Sequence, residues 1–418
     1  MIIKARLLLF FLFIYVNTFS QVENEVNPPE NIKSIIFKGV NDGDQFPIIK
    51  LGEPILLIFD DLYADEEDYY YKIEHYNYDW TPSNLLKSQY LNGLDNLRIQ
   101  NYQNSVTTIQ PYSNYQLRLP NKQTKLRVSG NYMLKIYDRH DKLVFSRKFV
   151  VFTDLVSVGV VIKRARNLNL IDQKQTVQFT INSNNTQLVN PQQEVKVAIL
   201  QNYNWETAIM NIKPQFFAGS QLIYKYDTET QFDGGNEYLF FDSKEIRITN
   251  NAIARVRLEE VYNHYLYTNI NRSDRAYTYN PDINGNFIIR TLDGIDSDPF
   301  TEADYSYVHF RIPYDEMIGL DNIYVYGKFN NYDINDANKL QFNPDTGTIE
   351  GKLLLKQGFY NYKYIKTNDK GEIDYNFISG NHYETENDYL VLVYYRNFGD
   401  LYDSIIGIGT GNSTNITN

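Results

Sequence analysis

There is no cysteine among the 418 residues. That removes a disulfide framework, thiolate metal ligands, a thiol nucleophile and any cysteine-borne lipid. Histidine is also scarce. His75, His140, His264, His309 and His382 are scattered with no close pair, whereas metal sites take their ligands at short, fixed spacings. Each is expected at a strand edge or on the surface. No Gly-x-Ser-x-Gly, phosphate loop or dinucleotide fingerprint occurs, so serine hydrolysis, nucleotide binding and coenzyme redox chemistry have no sequence support. No catalytic, cofactor-binding or metal residue is assigned, and a small-molecule ligand is not expected. Positive charge is in deficit, with 40 Lys and Arg against 51 Asp and Glu, a net charge of −11. An acidic surface repels phosphate backbones and anionic headgroups, which argues against nucleic-acid and membrane-surface partners.

Long apolar runs are confined to the start. Lys4 and Arg6 precede the ten apolar residues Leu7 to Val16, and Thr18 and Ser20 supply small residues before Gln21. A membrane span needs roughly 20 apolar residues, so this is read as a secretory signal peptide over 1–20. The protein is therefore expected to be exported, soluble and without a direct lipid anchor.

Tyrosine and phenylalanine are plentiful, at 37 and 24 residues. Such side chains suit a pleated, half-buried surface. Period-two segments recur throughout, among them Tyr132 to Tyr137, Leu143 to Phe152, Thr176 to Ile181, Val195 to Leu200, Tyr307 to Ile312, Ile323 to Phe329, Tyr360 to Ile365 and Tyr389 to Tyr395. Asn343 to Gly347, Asn368 to Gly371 and Asp138 to Asp141 read as tight turns. Short helical stretches are expected within Asp60 to Tyr71 and Thr81 to Leu94. The pattern predicts an all-β chain of tandem immunoglobulin-like β-sandwich domains. Expected bounds are 21–154, 155–315 and 316–409, with Tyr305 to Ile312 closing the middle domain and 410–418 forming a disordered tail.

Three segments carry candidate chemistry. Asp282, Asn284 and Gly285 open like a calcium loop, but position twelve is Asp293 rather than glutamate, so a turn is the preferred reading. Asp60-Asp61 and Asp65 to Asp68 could offer paired carboxylates, although acidic runs are usually solvated. Val325 to Tyr332 resembles the Gly-x-Phe-Asn-x-Trp signature of glycogen-binding modules and early-set sandwich domains. It names Tyr326, Phe329 and Tyr332 as the candidate glycan-stacking residues.

A set of ordered segments runs through the chain: Phe59-Asp60-Asp61-Leu62, Tyr76-Asn77-Tyr78-Asp79-Trp80-Thr81, Ser88 to Gly93, Gln110 to Tyr115, Ser129 to Tyr132, Gln201 to Trp205, Gly234 to Glu237, Asn376 to Asn381, Glu384 to Tyr389 and Tyr394 to Phe398. On these, across residues 27–409, the chain resembles the plug protein family of the Bacteroidota type IX secretion system. It implies a non-enzymatic periplasmic protein, peripheral on the inner side of the outer membrane. Its implied partner is the large translocon barrel, whose periplasmic mouth it occludes until cargo displaces it. The family supplies no catalytic residues to carry over, and contact residues stay unassigned. The competing expectation is a periplasmic or surface glycan-binding protein acting through its last domain.

Overall fold

The structure is a computed structural model and describes residues 22–41, 45–183, 186–292, 298–319 and 321–416. The expected signal peptide and Asp293 lie outside the described residues. The fold is nearly all strand, in three β-sandwiches.

The first sandwich pairs a sheet of Ile32–Gly39, Ile55–Asp61, Ser113–Leu119 and Asn101–Asn104 with a second sheet. That second sheet runs Ile48–Lys50, Leu143–Phe152, Gly130–Tyr137, Tyr70–Tyr76 and Leu97–Arg98. Strand alternation sends Ile55, Leu57 and Phe59 into the core beside Tyr115, Tyr132 and Phe149. Phe59 stacks on Tyr115 at 5.1 Å and Tyr132 on Phe149 at the same distance, an offset arrangement that the ring quadrupoles favour. The opposite face of Ile55–Asp61 holds Ile58 and Asp60, which are also buried. A strand covered on both faces must have another body lying over it.

The expected cut at 315/316 does not follow the sheets. Ser157–Arg164, Lys174–Asn182, Gln221–Tyr224 and Phe216–Ala218 form one layer of the middle sandwich. The facing layer runs Ile209–Met210, Val195–Gln201, Asp388–Tyr395 and Ser404–Asn412. Its second half therefore comes from the far end of the chain. The third sandwich is built from the intervening segment. Leu239–Asp242, Gly358–Thr367 and Phe287–Ile289 form one sheet, to which Asn322–Tyr326 and Ile373–Asp374 also pair. The other contains Ile253–Leu258, Tyr262–Leu266, Tyr305–Pro313, Thr348–Lys356 and Gln341–Asn343. Tyr305–Pro313 is thus central to the third sandwich and does not close the middle one. The physical reason is burial: Val308, Phe310 and Ile312 pack with Phe241, Ile349 and Tyr362, while Tyr389, Val391 and Val393 pack with Val195, Val197 and Phe179.

The tail also departs from expectation. Ser404–Asn412 is a paired strand, and Ser413 caps it by donating its hydroxyl to Thr385 O at 2.7 Å. Of the two expected helical stretches, Asp60 to Tyr71 forms no helix and Thr81 to Leu94 holds a single turn, Lys87–Tyr90. The three turns form where expected, with Gly347 N donating to Asn343 O, Gly371 N to Asn368 O and Asp141 N to Asp138 O.

Candidate functional site

Each expected site residue has a definite place. Tyr326 and Tyr332 are 1% and 6% exposed and pack with Tyr324, Ile365 and Tyr375. The Tyr326 hydroxyl accepts from Asn204 Nδ2 of the middle sandwich at 3.0 Å, and burial raises its pKa. Phe329 is half-buried, edge-on to Tyr360. The structure pairs Tyr326 with Tyr332 at 5.1 Å and buries both, while Phe329 packs separately against Tyr360, so the three form no shared aromatic face for a sugar. The signature serves the turn itself. A Cβ at Gly327 would stand 2.8 Å from Asn361 O. Asn330 donates to Val325 O at 3.1 Å and accepts from Gly327 N.

The calcium-like segment is likewise a turn. Asp282 accepts from the amides of Tyr238 and Asn284, and burial lifts its carboxyl to about 7. Asn284 and Gly285 take the left-handed backbone, and a Cβ at Gly285 would meet the Tyr238 ring at 2.7 Å. His75 and His264 are buried, against expectation. His75 bonds Ser83 Oγ at 2.9 Å, and burial holds its ring down to about 4. His264 contacts Ile246 O and Ser306 Oγ.

What the structure does assemble is a set of polar and apolar locks between sandwiches. Asp60, expected in solvent, forms a buried ion pair with Lys356 of the third sandwich at 2.7 Å, each side chain 1% exposed. Asp60 also accepts from Asn114 Nδ2 at 2.7 Å and Tyr305 Oη at 2.6 Å. Lys356 donates further to Phe300 O and lies over the Tyr112 ring at 4.0 Å. Burial pushes the Asp60 carboxyl up and the Lys356 ammonium down, and each charge pulls the other back. Close by, Asp304 accepts from Ile109 N and Gln110 N, and Tyr112 Oη donates to Ala303 O. Asp61 turns the other way and serves Asn31 and Tyr69.

The first and middle sandwiches meet on an apolar layer of Val150, Ala198, Leu200, Leu390, Leu392, Tyr394 and Ile405. Trp80 meets Trp205 edge-on at 5.0 Å, and Phe46 stacks on Tyr203 at 3.5 Å. Asn131 accepts from Tyr394 Oη at 2.9 Å, while Tyr78 N donates at 3.2 Å to the buried Asp403, itself paired with Lys196. Between middle and third, Asn204 Nδ2 donates to Tyr326 Oη at 3.0 Å and Asn284 Nδ2 donates to Asp388 Oδ2 at 2.8 Å. No sequence spacing marked these partners, because each paired contact between sandwiches joins residues far apart in the chain, 104 positions for Asn284–Asp388 and 296 for Asp60–Lys356.

A chain of three interlocked sandwiches, with its buried polar groups spent on joining them, has the form of a structural or binding protein. The first sandwich matches the family model described as type 9 secretion system plug protein 1st domain, over residues 32–153. A crystal structure of a hypothetical protein from Parabacteroides merdae superposes with a TM-score of 0.88 at 31% identity, covering 93% of this chain and 98% of that one. The chain belongs to the type 9 secretion system plug protein family. A further match, to Drosophila OTK extracellular domains 3-5, has 9% identity and a TM-score of 0.15 and carries no argument. No curated relative matches the chain. Among the described residues no helix is long and apolar enough to cross a membrane.

Proposed function

We propose that this protein is a non-enzymatic stopper that sits in the periplasm against the inner mouth of the outer-membrane translocon barrel and yields when cargo passes. The observation that carries the reading is the family match over the first sandwich. The architecture supports it, since a stopper for a wide pore must hold its shape as one body. The Asp60–Lys356 pair, the Val150–Leu392 layer and the Asn204–Tyr326 hydrogen bond join all three lobes. Occlusion needs no catalytic group, only a fitted and reversible surface. The test is affinity purification of the tagged protein from solubilised outer membranes, with deletion of its gene in parallel. Recovery of a very large barrel, and an envelope newly permeable to large antibiotics, are the expected results. Absence of any barrel from the purified material rules the reading out.

A further inference from the structure

The cleft where the first and third sandwiches meet holds an excess of positive charge in an otherwise acidic protein. A cavity of about 420 Å³ is lined by Lys33, Arg147, Lys148, Lys328 and Lys352, against Glu25, Glu30 and Asp333. It shares Glu25, Lys148, Lys328 and Asn331 with a neighbouring cavity of about 350 Å³ that reaches the middle sandwich. Arg147 is only 7% exposed, its guanidinium donates to Ser146 O at 2.7 Å and Val26 O at 3.4 Å, and it lies over the Phe145 ring at 5.5 Å. Lys148 and Lys352 lie over the rings of Trp80 and Tyr307, and the single carboxylate of Glu25 is shared among Arg147, Lys148 and Lys328, all of which feel its charge. Burial pulls Lys328 down to about 8, Glu25 partly opposing the effect and Arg147 adding to it. Five cations against three carboxylates leave positive charge in the cleft only partly matched, and unmatched buried charge is costly, which makes an anion the natural occupant.

The walls say what kind. Phe37, Phe287, Phe329 and Leu355 face the same space as the cations, and the volume far exceeds that of an inorganic ion. The protein also displays the mode of binding. Its own residues 24–27 line this cleft, and Glu25 accepts from Lys148 N and Asn331 Nδ2, one partner from each sandwich. We infer that this cleft binds an extended acidic peptide segment, whose carboxylates reach Arg147, Lys148 and Lys328 while its apolar side chains lie on the phenylalanine wall. The inference goes beyond the stopper reading and does not depend on which complex the protein joins.

Fluorescence anisotropy with a fluorescein-labelled octapeptide of alternating leucine and glutamate tests it on the purified protein. Saturable binding is expected, and about tenfold weaker binding of the peptide with glutamine for glutamate. Lys148→Gln and Lys328→Gln should each weaken binding about tenfold, with melting still cooperative. Lys352→Gln, exposed at the rim where folding is not at issue, should weaken it about threefold. Equal binding of the two peptides, indifference to all three substitutions, or a cleft that takes inorganic phosphate but no peptide would each overturn the inference.

Discussion

At the scale of single residues, the Asp60–Lys356 pair is the most consequential contact between lobes. Both groups have left water, so their attraction is offset by desolvation, and the pair adds little over well-packed apolar residues. Removing one partner is different, because the other stays buried and uncompensated. Lys356→Met should destabilise the protein by about 3–5 kcal/mol, and Asp60→Leu by a similar amount. The double variant should recover most of that loss in urea titrations, and additive losses would show that the two charges are not coupled. His75 gives a pH signature. Its folded pKa is lowered to about 4 by burial, so the folded state holds the neutral ring. That contribution is present above the ordinary histidine pKa and is lost as pH falls from about 6.5 towards 4, amounting to about 3 kcal/mol. The stability difference between wild type and His75→Gln, measured at pH 7.5 and pH 4.5, should shrink towards the acid end. A difference that stays constant would show that the ring is not held neutral.

Elements show why part of the fold was legible and part was not. Period two located most of the strands, and turn chemistry located the hairpins at Asn343, Asn368 and Asp138, because both signals are local. The partners of a strand are not local. Val195–Gln201 and Asp388–Tyr395 are apolar on both faces, the mark of strands buried from two sides, yet nothing in either says that they pair with each other. The candidate glycan residues failed for the same reason: the motif reported a turn, and the depth of Tyr326 depends on Asn204 in another lobe. The end of the chain was misread outright. Gly411 falls in the tail expected to be disordered, but with Gly407 and Gly409 it lies on one face of the last strand, against Val156, Val158 and Val160. A Cβ at Gly407 would lie 2.7 Å from Val156 O and one at Gly409 2.6 Å from Val158 Cγ1, whereas one at Gly159 meets nothing within 4 Å. Gly409→Val should therefore cost about 1–3 kcal/mol by overpacking, while Gly159→Ala should stay within about 0.5 kcal/mol. Thermal melts of the two variants separate a packing role from mere flexibility.

For the whole molecule, the middle sandwich is discontinuous, with the third inserted between its halves. A fragment of residues 155–315 lacks Asp388–Tyr395 and Ser404–Asn412, and with them half of one sheet. Such a fragment should show no cooperative melt by circular dichroism, and adding a separate peptide of residues 384–416 should restore one. A cooperative transition in the fragment alone would contradict the shared core. In the complete chain, the interdomain locks should give a single transition rather than three. Three separate steps would mean that the lobes move independently, and a stopper made of them would lose its outline.

The late arrival of those two strands sets an order of events at birth. Val195–Gln201 emerges nearly two hundred residues before its hydrogen-bonding neighbour, so for that interval a greasy open edge is presented to whatever is nearby. The carboxyl end acts as the final stitch, and a chain cut short by even thirty residues would leave the seam undone.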